Sequence, residues 1–411
     1  MSGRFAAFKH SNYQRYFGAR FCTALAAQIL SMSVAWQIYV ETRNPALLGW
    51  IGLVQFLPAL GLVLVTGLAA DRLGRRLVMG CAILVETFCA ASILFMAVTN
   101  QFDPMIVLVL FTIFGCARAF FAPASSSLAV NLVPKKDFAN AAGFSALSWQ
   151  SASIVGPAIG GLLQSISNEV AYSTSMSLFL LAAVLIFSIP KPKQLTNTEP
   201  TRLSTLLGGF DYVWKEKVVL GAISLDLFAV LLGGAVALLP VYAHDILHMD
   251  EKGFGILRAA PGVGAVLMMG VITLFPIKKN AGVILFVSVA LFGLTTAAFG
   301  ASTIVWFSIL MLVLIGAFDM VSVFIREVLL QLWTPDRVRG RVNAVNSIFL
   351  GASNELGEAR AGFMAAFFGP VVTVVGGGLA AAGIAAGWAV LFPQIRKTNK
   401  LTAPDDRHDE E

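Results

Sequence analysis

Charge is scarce in this chain. Only 13% of its 411 residues are Asp, Glu, Lys or Arg, whereas 57% are hydrophobic. An ordinary soluble domain carries about 25% charged residues, so a water-soluble globule is excluded. Whole stretches have no charge at all, among them 45–70, 138–168, 170–190, 280–318 and 361–395. Each exceeds the roughly 18–20 residues needed to cross a bilayer. Strict apolar/polar alternation is missing too, which disfavours a membrane barrel. The four cysteines, Cys22, Cys81, Cys89 and Cys116, fall inside apolar segments without a C-x-x-C spacing. They read as small buried apolar residues. His10 and His408 lie in terminal regions, and His244 and His248 share one polar loop. No metal site is implied. There is no G-x-x-x-x-G-K-[ST] loop, no H-E-x-x-H and no G-x-S-x-G, so neither a nucleotide or other cofactor nor an enzyme is expected. Residues 1–20 carry Arg4, Lys9, Arg15 and Arg20 without an uninterrupted apolar core, which opposes a cleavable signal.

What is present is a series of apolar runs broken by charge clusters and Gly, Pro or Asn turns. They predict helical spans over 16–40, 46–70, 77–98, 104–132, 140–164 and 170–190, then 218–243, 253–276, 281–301, 303–330, 343–367 and 371–393. Most cations fall in the loops on the side of the termini, including Arg72, Arg75, Arg76, Lys135, Lys136, Lys278, Lys279, Arg337, Arg339, Arg341, Arg396 and Lys397; the opposite loops hold Arg43 and Lys252. Positive residues are retained in the cytoplasm, so both termini are expected there, in a cytoplasmic (inner) membrane. The net charge of +6 is thereby assigned to the lipid bilayer surface and not to nucleic acid.

The chain also matches itself. An offset of 203 aligns Gly18 with Gly221, Tyr39 with Tyr242, Gly52 with Gly255, Pro58 with Pro261 and Gly61 with Gly264. An offset of 201 aligns Gly115 with Gly316, Pro134 with Pro335, Gly156 with Gly357 and Gly161 with Gly362. Identities at Gly and Pro mark backbone constraints, so they favour a duplication over shared composition. The expected organisation is a six-helix bundle over 1–190, a cytoplasmic connector over 191–217, a second six-helix bundle over 218–395 and a disordered cytoplasmic tail over 396–411. Pro190, Pro192 and Pro200 oppose a continuous helix through the connector, while Leu206, Phe210, Val213 and Trp214 recur at the spacing of an amphipathic helix.

The loop between the second and third spans runs from Gly67 through Asp71, Arg72 and Gly74 to Arg75 and Arg76. Its arginines alone would serve as a positive membrane anchor. The whole G-x-x-x-D-R-x-G-R-R pattern, however, resembles the signature loop of the major facilitator superfamily. The resemblance implies an all-α membrane protein of twelve transmembrane helices, in two pseudo-symmetric six-helix bundles that alternate in access to a central cavity, with Asp71 as part of a cytoplasmic latch. Span five reads Gly143-x8-Ala152-x3-Gly156-Pro157-x2-Gly160-Gly161. Apart from Ala152, this resembles a pattern of the exporting branches of that superfamily. Small residues at this spacing permit close helix approach and Pro157 permits a bend, so the segment reads as a hinge or a tight seal, with plain packing as the alternative. Four shorter runs resemble the branch of enterobactin-exporter-like and transmembrane secretion proteins: Tyr16-Phe17-x2-Arg20-Phe21, Trp36-Gln37-x-Tyr39, Arg118-Ala119-Phe120-Phe121-x-Pro123-Ala124 and Thr334-Pro335-Asp336-x3-Gly340-Arg341-Val342.

Ionisable residues inside the spans are the candidate working parts, because a charge at mid-bilayer costs about 2.5–3.5 kcal/mol and therefore faces a cavity or a partner. Arg118 in span four has Asp319 in span ten as its repeat mate. Glu86 lies in span three, Asp226 in span seven and Arg258 in span eight, and span eleven carries Asn354, Glu355, Glu358 and Arg360. Arg20, Arg326 and Glu327 lie near span ends, where the cations are expected to reach the headgroups. For every member of this set a buried ion pair that fixes helix register is the alternative. A desolvated carboxylate holds a proton more readily, so Asp226, then Glu358 and Asp319, are the leading proton carriers. The resulting expectation is a monomeric exporter of a small amphipathic molecule, siderophore-like or drug-like, driven by protons. An uptake symporter and a non-transporting membrane receptor on the same fold remain the alternatives.

Overall fold

The computed structural model describes residues 5–191 and 210–399, apart from the side chains at some positions, Gly67 and Asp71 among them. Among the described residues there is helix and no strand. The long helices are α1 (Ser11–Thr42), α2 (Pro45–Leu73), α3 (Arg75–Val98), α4 (Pro104–Leu132), α5 (Phe138–Gln164), α6 (Asn168–Phe187), α7 (Lys217–Gly233), α8 (Glu251–Leu274), α9 (Ala281–Gly300), α10 (Val305–Trp333), α11 (Asp336–Phe368) and α12 (Pro370–Leu391), followed by the short α13 (Pro393–Lys397). Among the described residues, ten segments are long and apolar enough to cross a membrane. The other two long helices, α5 and α11, are of crossing length and fit the expected count of twelve. They occupy equivalent places in the two repeats, and each carries Ser, Asn, Gln or charged residues among its small ones.

Packing repeats with a period of six helices. α1 packs on α5 and α6, and α7 on α11 and α12; α3 packs on α4 and α6, and α9 on α10 and α12. The duplication inferred from Gly and Pro identities is thus a duplication of helix contacts. Two compact units result, one made of residues 1–43, 53–201 and 249–259, the other of 44–52, 202–248 and 260–411. Each contains one short segment from the opposite half of the sequence. In the second unit, Val218, Leu225, Leu285, Val289, Ile325, Leu329 and Ile395 form a continuous apolar core.

The single span expected over 218–243 is interrupted. α7 ends at Gly233, and the chain continues as a 3-10 turn (Val236–Leu238), a short α turn (Leu239–Val241) and a π turn (Tyr242–Ile246). Two consecutive glycines at 233 and 234, with Pro240 following, supply the local cause. The α2–α3 turn is a single residue, Gly74, at φ 100, a conformation that excludes a β-carbon without strain. The connector lies outside the described residues from 192 to 209. Its end is helical over 210–215, with Val213 buried against Val219, Leu330, Val342 and Val345. Of the tail, residues 400–411 lie outside the described ones, whereas 396–399 are ordered: Thr398 O accepts from Gly282 N at 3.0 Å and Asn399 Oδ1 from Asn280 N at 2.9 Å, capping the start of α9.

Candidate functional site

In the second unit, α7 and α10 bring three of the embedded ionisable groups together. Asp226 on α7 accepts from Arg326 Nη2 on α10 at 2.8 Å, and both side chains are more than nine-tenths buried. Arg326 was expected to reach the headgroups; it does not, because a carboxylate one helix away satisfies it inside the bundle. Asp319 precedes Arg326 by seven residues, two helical turns, and so lies along the same face of α10, within electrostatic reach of Asp226 and Arg326. Arg326 Nε is buried with no partner, leaving a donor free beside the pair. A narrow cavity of about 10 Å³ between α7, α10 and α11 reaches this arginine along Ala222, Glu327 and Asn346. Glu327 is likewise used within the protein, accepting from Asn346 Nδ2 at 3.2 Å.

Further along α11 lie Asn354, Glu355 and Glu358. Asn354 is exposed and bonds the Leu350 carbonyl of its own helix at 2.9 Å. Glu355 and Glu358 border the segment 44–52: a β-carbon added at Gly52 would sit 3.4 Å from Glu355 Oε2 and from Glu358 Cβ. Both acids are half-buried and hold polar contacts.

In the first unit, Glu86 on α3 is fully buried, and neither carboxylate oxygen has a hydrogen-bond partner. Arg118 on α4, the cation within electrostatic reach of it, is sandwiched between the rings of Phe114 and Trp149, its guanidinium carbon 5.8 Å from each centroid. These contacts hold the cation through the ring faces and not through a carboxylate. Glu86→Gln is therefore expected to leave the thermal midpoint of the purified protein unchanged or higher, since no hydrogen bond is lost and the replacement cannot ionise. A drop of several degrees would mean that Glu86 is ionised and paired. Arg258 is half-buried, with no hydrogen bond or ion pair among the described residues. Arg20, also expected at the headgroups, donates to Ser125 Oγ at 2.8 Å and so ties α1 to α4. Of these fastenings, the arginine clamps on α4 and α7 were not legible from spacing. Their one sequence signal was the rarity of the charge itself.

The signature loop closes against the ends of α4 and α6. Arg75 Nη1 donates to Ser127 O at 2.9 Å and Arg76 Nη2 to Phe187 O at 2.8 Å. Phe187 ends α6, so its carbonyl lacks an intrahelical partner and is satisfied in this way. Arg72 is exposed, while the side chain of Asp71 lies outside those described.

The span-five motif packs on two sides. β-carbons added at Gly156 and Gly160 would meet α1, at Gln28 Cβ (2.5 Å) and Met32 Sδ (3.1 Å); one added at Gly161 would come 2.5 Å from the Glu251 carbonyl oxygen and 3.1 Å from Gly255 Cα. A β-carbon at Gly255 would in turn lie 2.7 Å from the Pro157 carbonyl oxygen, whereas one at Gly143 would have nothing within 4 Å. The second unit repeats the arrangement with Gly362, the mate of Gly161, set against Gly49. A β-carbon at Gly362 would lie 2.5 Å from Gly49 N and 2.9 Å from Pro45 O. Four glycines thus permit two symmetry-related backbone contacts, α5 on the start of α8 and α11 on the start of α2.

This chain is similar along most of its length to proteins of known identity. It is 26% identical over 381 residues to the enterobactin exporter EntS of Shigella boydii serotype 4 (strain Sb227), covering 90% of this chain and 89% of the exporter. The enterobactin exporter EntS of Citrobacter koseri is 25% identical over 389 residues, covering 91% of each. Among solved structures, a POT family transporter in complex with 5-aminolevulinic acid superposes with a TM-score of 0.74 at 12% identity, over 96% of this chain and 98% of that one, a likeness of fold. Residues 16–324 match the family model of the Major Facilitator Superfamily. With its duplicated apolar helices and its charges held inside them, the chain belongs to the Major Facilitator Superfamily, as a membrane-embedded secondary transporter of a small molecule and not an enzyme.

Proposed function

We propose that the protein exports a small amphipathic molecule, siderophore-like or drug-like, from the cytoplasm across a bacterial inner membrane in exchange for protons, by alternating access and as a monomer. Both termini lie in the cytoplasm, in keeping with the loop cations. The observation that carries the proton coupling is the buried Asp226–Arg326 pair at 2.8 Å, with Asp319 on the same helix face. An ionised Asp226 satisfies Arg326; a protonated Asp226 releases it. Arg326 then carries an uncompensated charge inside the bilayer, at a cost of several kcal/mol, and is free to seek Asp319 or an anionic group of the cargo. The Asp226 carboxylate and an anionic cargo thereby compete for one guanidinium, which couples cargo occupancy to protonation.

Glu358 and Glu355 on α11, with Asn354, form the second candidate proton or cargo group, and Glu86, Arg118 and Arg258 the third. The latch role belongs to Gly67, Asp71, Arg72, Gly74, Arg75 and Arg76, and the hinge or seal to Gly143, Gly156, Pro157, Gly160 and Gly161. Efflux is supported by the relatives that are named enterobactin exporters. Direction is tested in inside-out vesicles. With an acidic lumen, an exporter concentrates a catecholate siderophore inside, and collapsing the pH gradient releases it. Accumulation only with the opposite gradient would make the protein an uptake symporter.

A further inference from the structure

The break after α7 exposes a site unrelated to the Asp226–Arg326 pair. Interrupting a helix leaves the carbonyls of its last turn without intrahelical partners, and Arg360 of α11 takes one of them, donating Nη2 to Leu232 O at 2.6 Å. α12 comes close at the same point: a β-carbon at Gly377 would collide with Leu232 O and lie 3.1 Å from Arg360 Nη2. The rest of this guanidinium is poorly satisfied. Nη1 has only the Met364 sulfur, a weak acceptor, at 3.6 Å, and Nε is buried without a partner. No carboxylate of the described residues pairs with Arg360. A cation that lacks a counter-ion in this medium is costly, and the described residues supply none.

A groove of about 450 Å³ opens beside it, walled by Leu232, Met364, Phe368, Val372, Gly376 and Ala380. The α12 wall from Val372 to Ala380 is about 12 Å long at 1.5 Å per residue. Apart from the guanidinium and Thr373, its walls offer carbon and sulfur. We propose that this groove binds a single-chain amphiphilic carboxylate of the fatty-acid type, with its head accepting from Arg360 Nη1 and its chain lying along Phe368, Val372 and Gly376. The charge complementarity selects an anion, and the apolar length selects a chain of about ten carbons over a compact ion.

The test uses the full chain in nanodiscs of zwitterionic lipid, with decanoate as probe and decanol and acetate as controls, read by calorimetry and by the shift in thermal midpoint. Decanoate is expected to bind and stabilise the wild type, whereas decanol and acetate do not. Arg360→Gln, which can still donate to Leu232 O, is expected to weaken decanoate at least about tenfold, the worth of one charge-assisted hydrogen bond. Gly376→Phe fills the groove from a position with nothing within 4 Å of its β-carbon. It is expected to abolish binding with Arg360 in place, and decides the matter alone if Arg360→Gln fails to fold. Equal shifts by decanol and decanoate, or full binding by Gly376→Phe, would overturn the proposal.

Discussion

Asp226→Asn is expected to abolish proton-driven accumulation while leaving downhill exchange of cargo. The substitution removes the ionisable carboxyl but keeps the side-chain volume, so Arg326 loses its charged partner at 2.8 Å. Leaving one member of a buried pair uncompensated costs about 3–5 kcal/mol, and the purified variant should melt well below the wild type. The double variant Asp226→Asn with Arg326→Gln separates the two effects. It removes both charges, so most of the lost stability should return while coupling stays absent. Proton-driven accumulation by the double variant, measured in the same inside-out vesicles, would exclude Asp226 as the carrier and move the role to Asp319 or to the acids of α11. Asp319→Asn is the companion measurement. Partly exposed and outside the Asp226–Arg326 ion pair, it should melt near the wild type even where it alters transport.

Gly161→Val and Gly362→Val are expected to depress transport strongly without preventing membrane insertion. A β-carbon at Gly161 meets the Glu251 carbonyl oxygen at 2.5 Å, and one at Gly362 meets Gly49 N at 2.5 Å. In both cases the obstacle is backbone, which cannot rotate aside. Overpacking of this kind costs about 1–3 kcal/mol, enough to shift a two-state equilibrium roughly 5- to 150-fold against the packed arrangement. Because the two contacts are repeat mates, both substitutions should bias the protein in the same direction. Gly143→Ala, in the same motif but with nothing within 4 Å, is the control and should transport normally. Normal transport by both valine variants would reduce the motif to packing.

Much of the fold was legible because lipid simplifies the code. Where no water is present to satisfy a backbone, a long apolar run has to be a helix, and α3, α4, α6 and α9 begin and end within a few residues of the expected spans. The duplication was legible because a Gly or Pro retained at matched positions reports a backbone contact: Gly161 and Gly362, paired by sequence offset, occupy equivalent close approaches, whereas the counterpart of Gly255 is Gly49 and not the Gly52 that the offset paired with it. α7 was harder. Hydropathy over 218–243 stays high through Gly233 and Gly234, and a scale that counts side chains does not register the loss of a hydrogen-bond ladder.

The candidate site was legible as a set of residue types and illegible as a set of partners. Asp226, Asp319 and Glu86 stood out because charge is rare, yet Arg326 and Arg20 were assigned to headgroups from their distance to a span end. Depth along a helix is read from sequence position, while the direction in which a long side chain points depends on the neighbour that receives it. The amino-acid sequence by itself determined that this chain lies in a membrane, crosses it repeatedly and is built twice from one plan, since those properties follow from transfer energies and local backbone limits. Only the tertiary structure decided that Arg326 faces Asp226, that Arg360 bonds a broken helix and that glycines seat α5 on α8. An all-apolar helix shows no preferred face until the others pack around it.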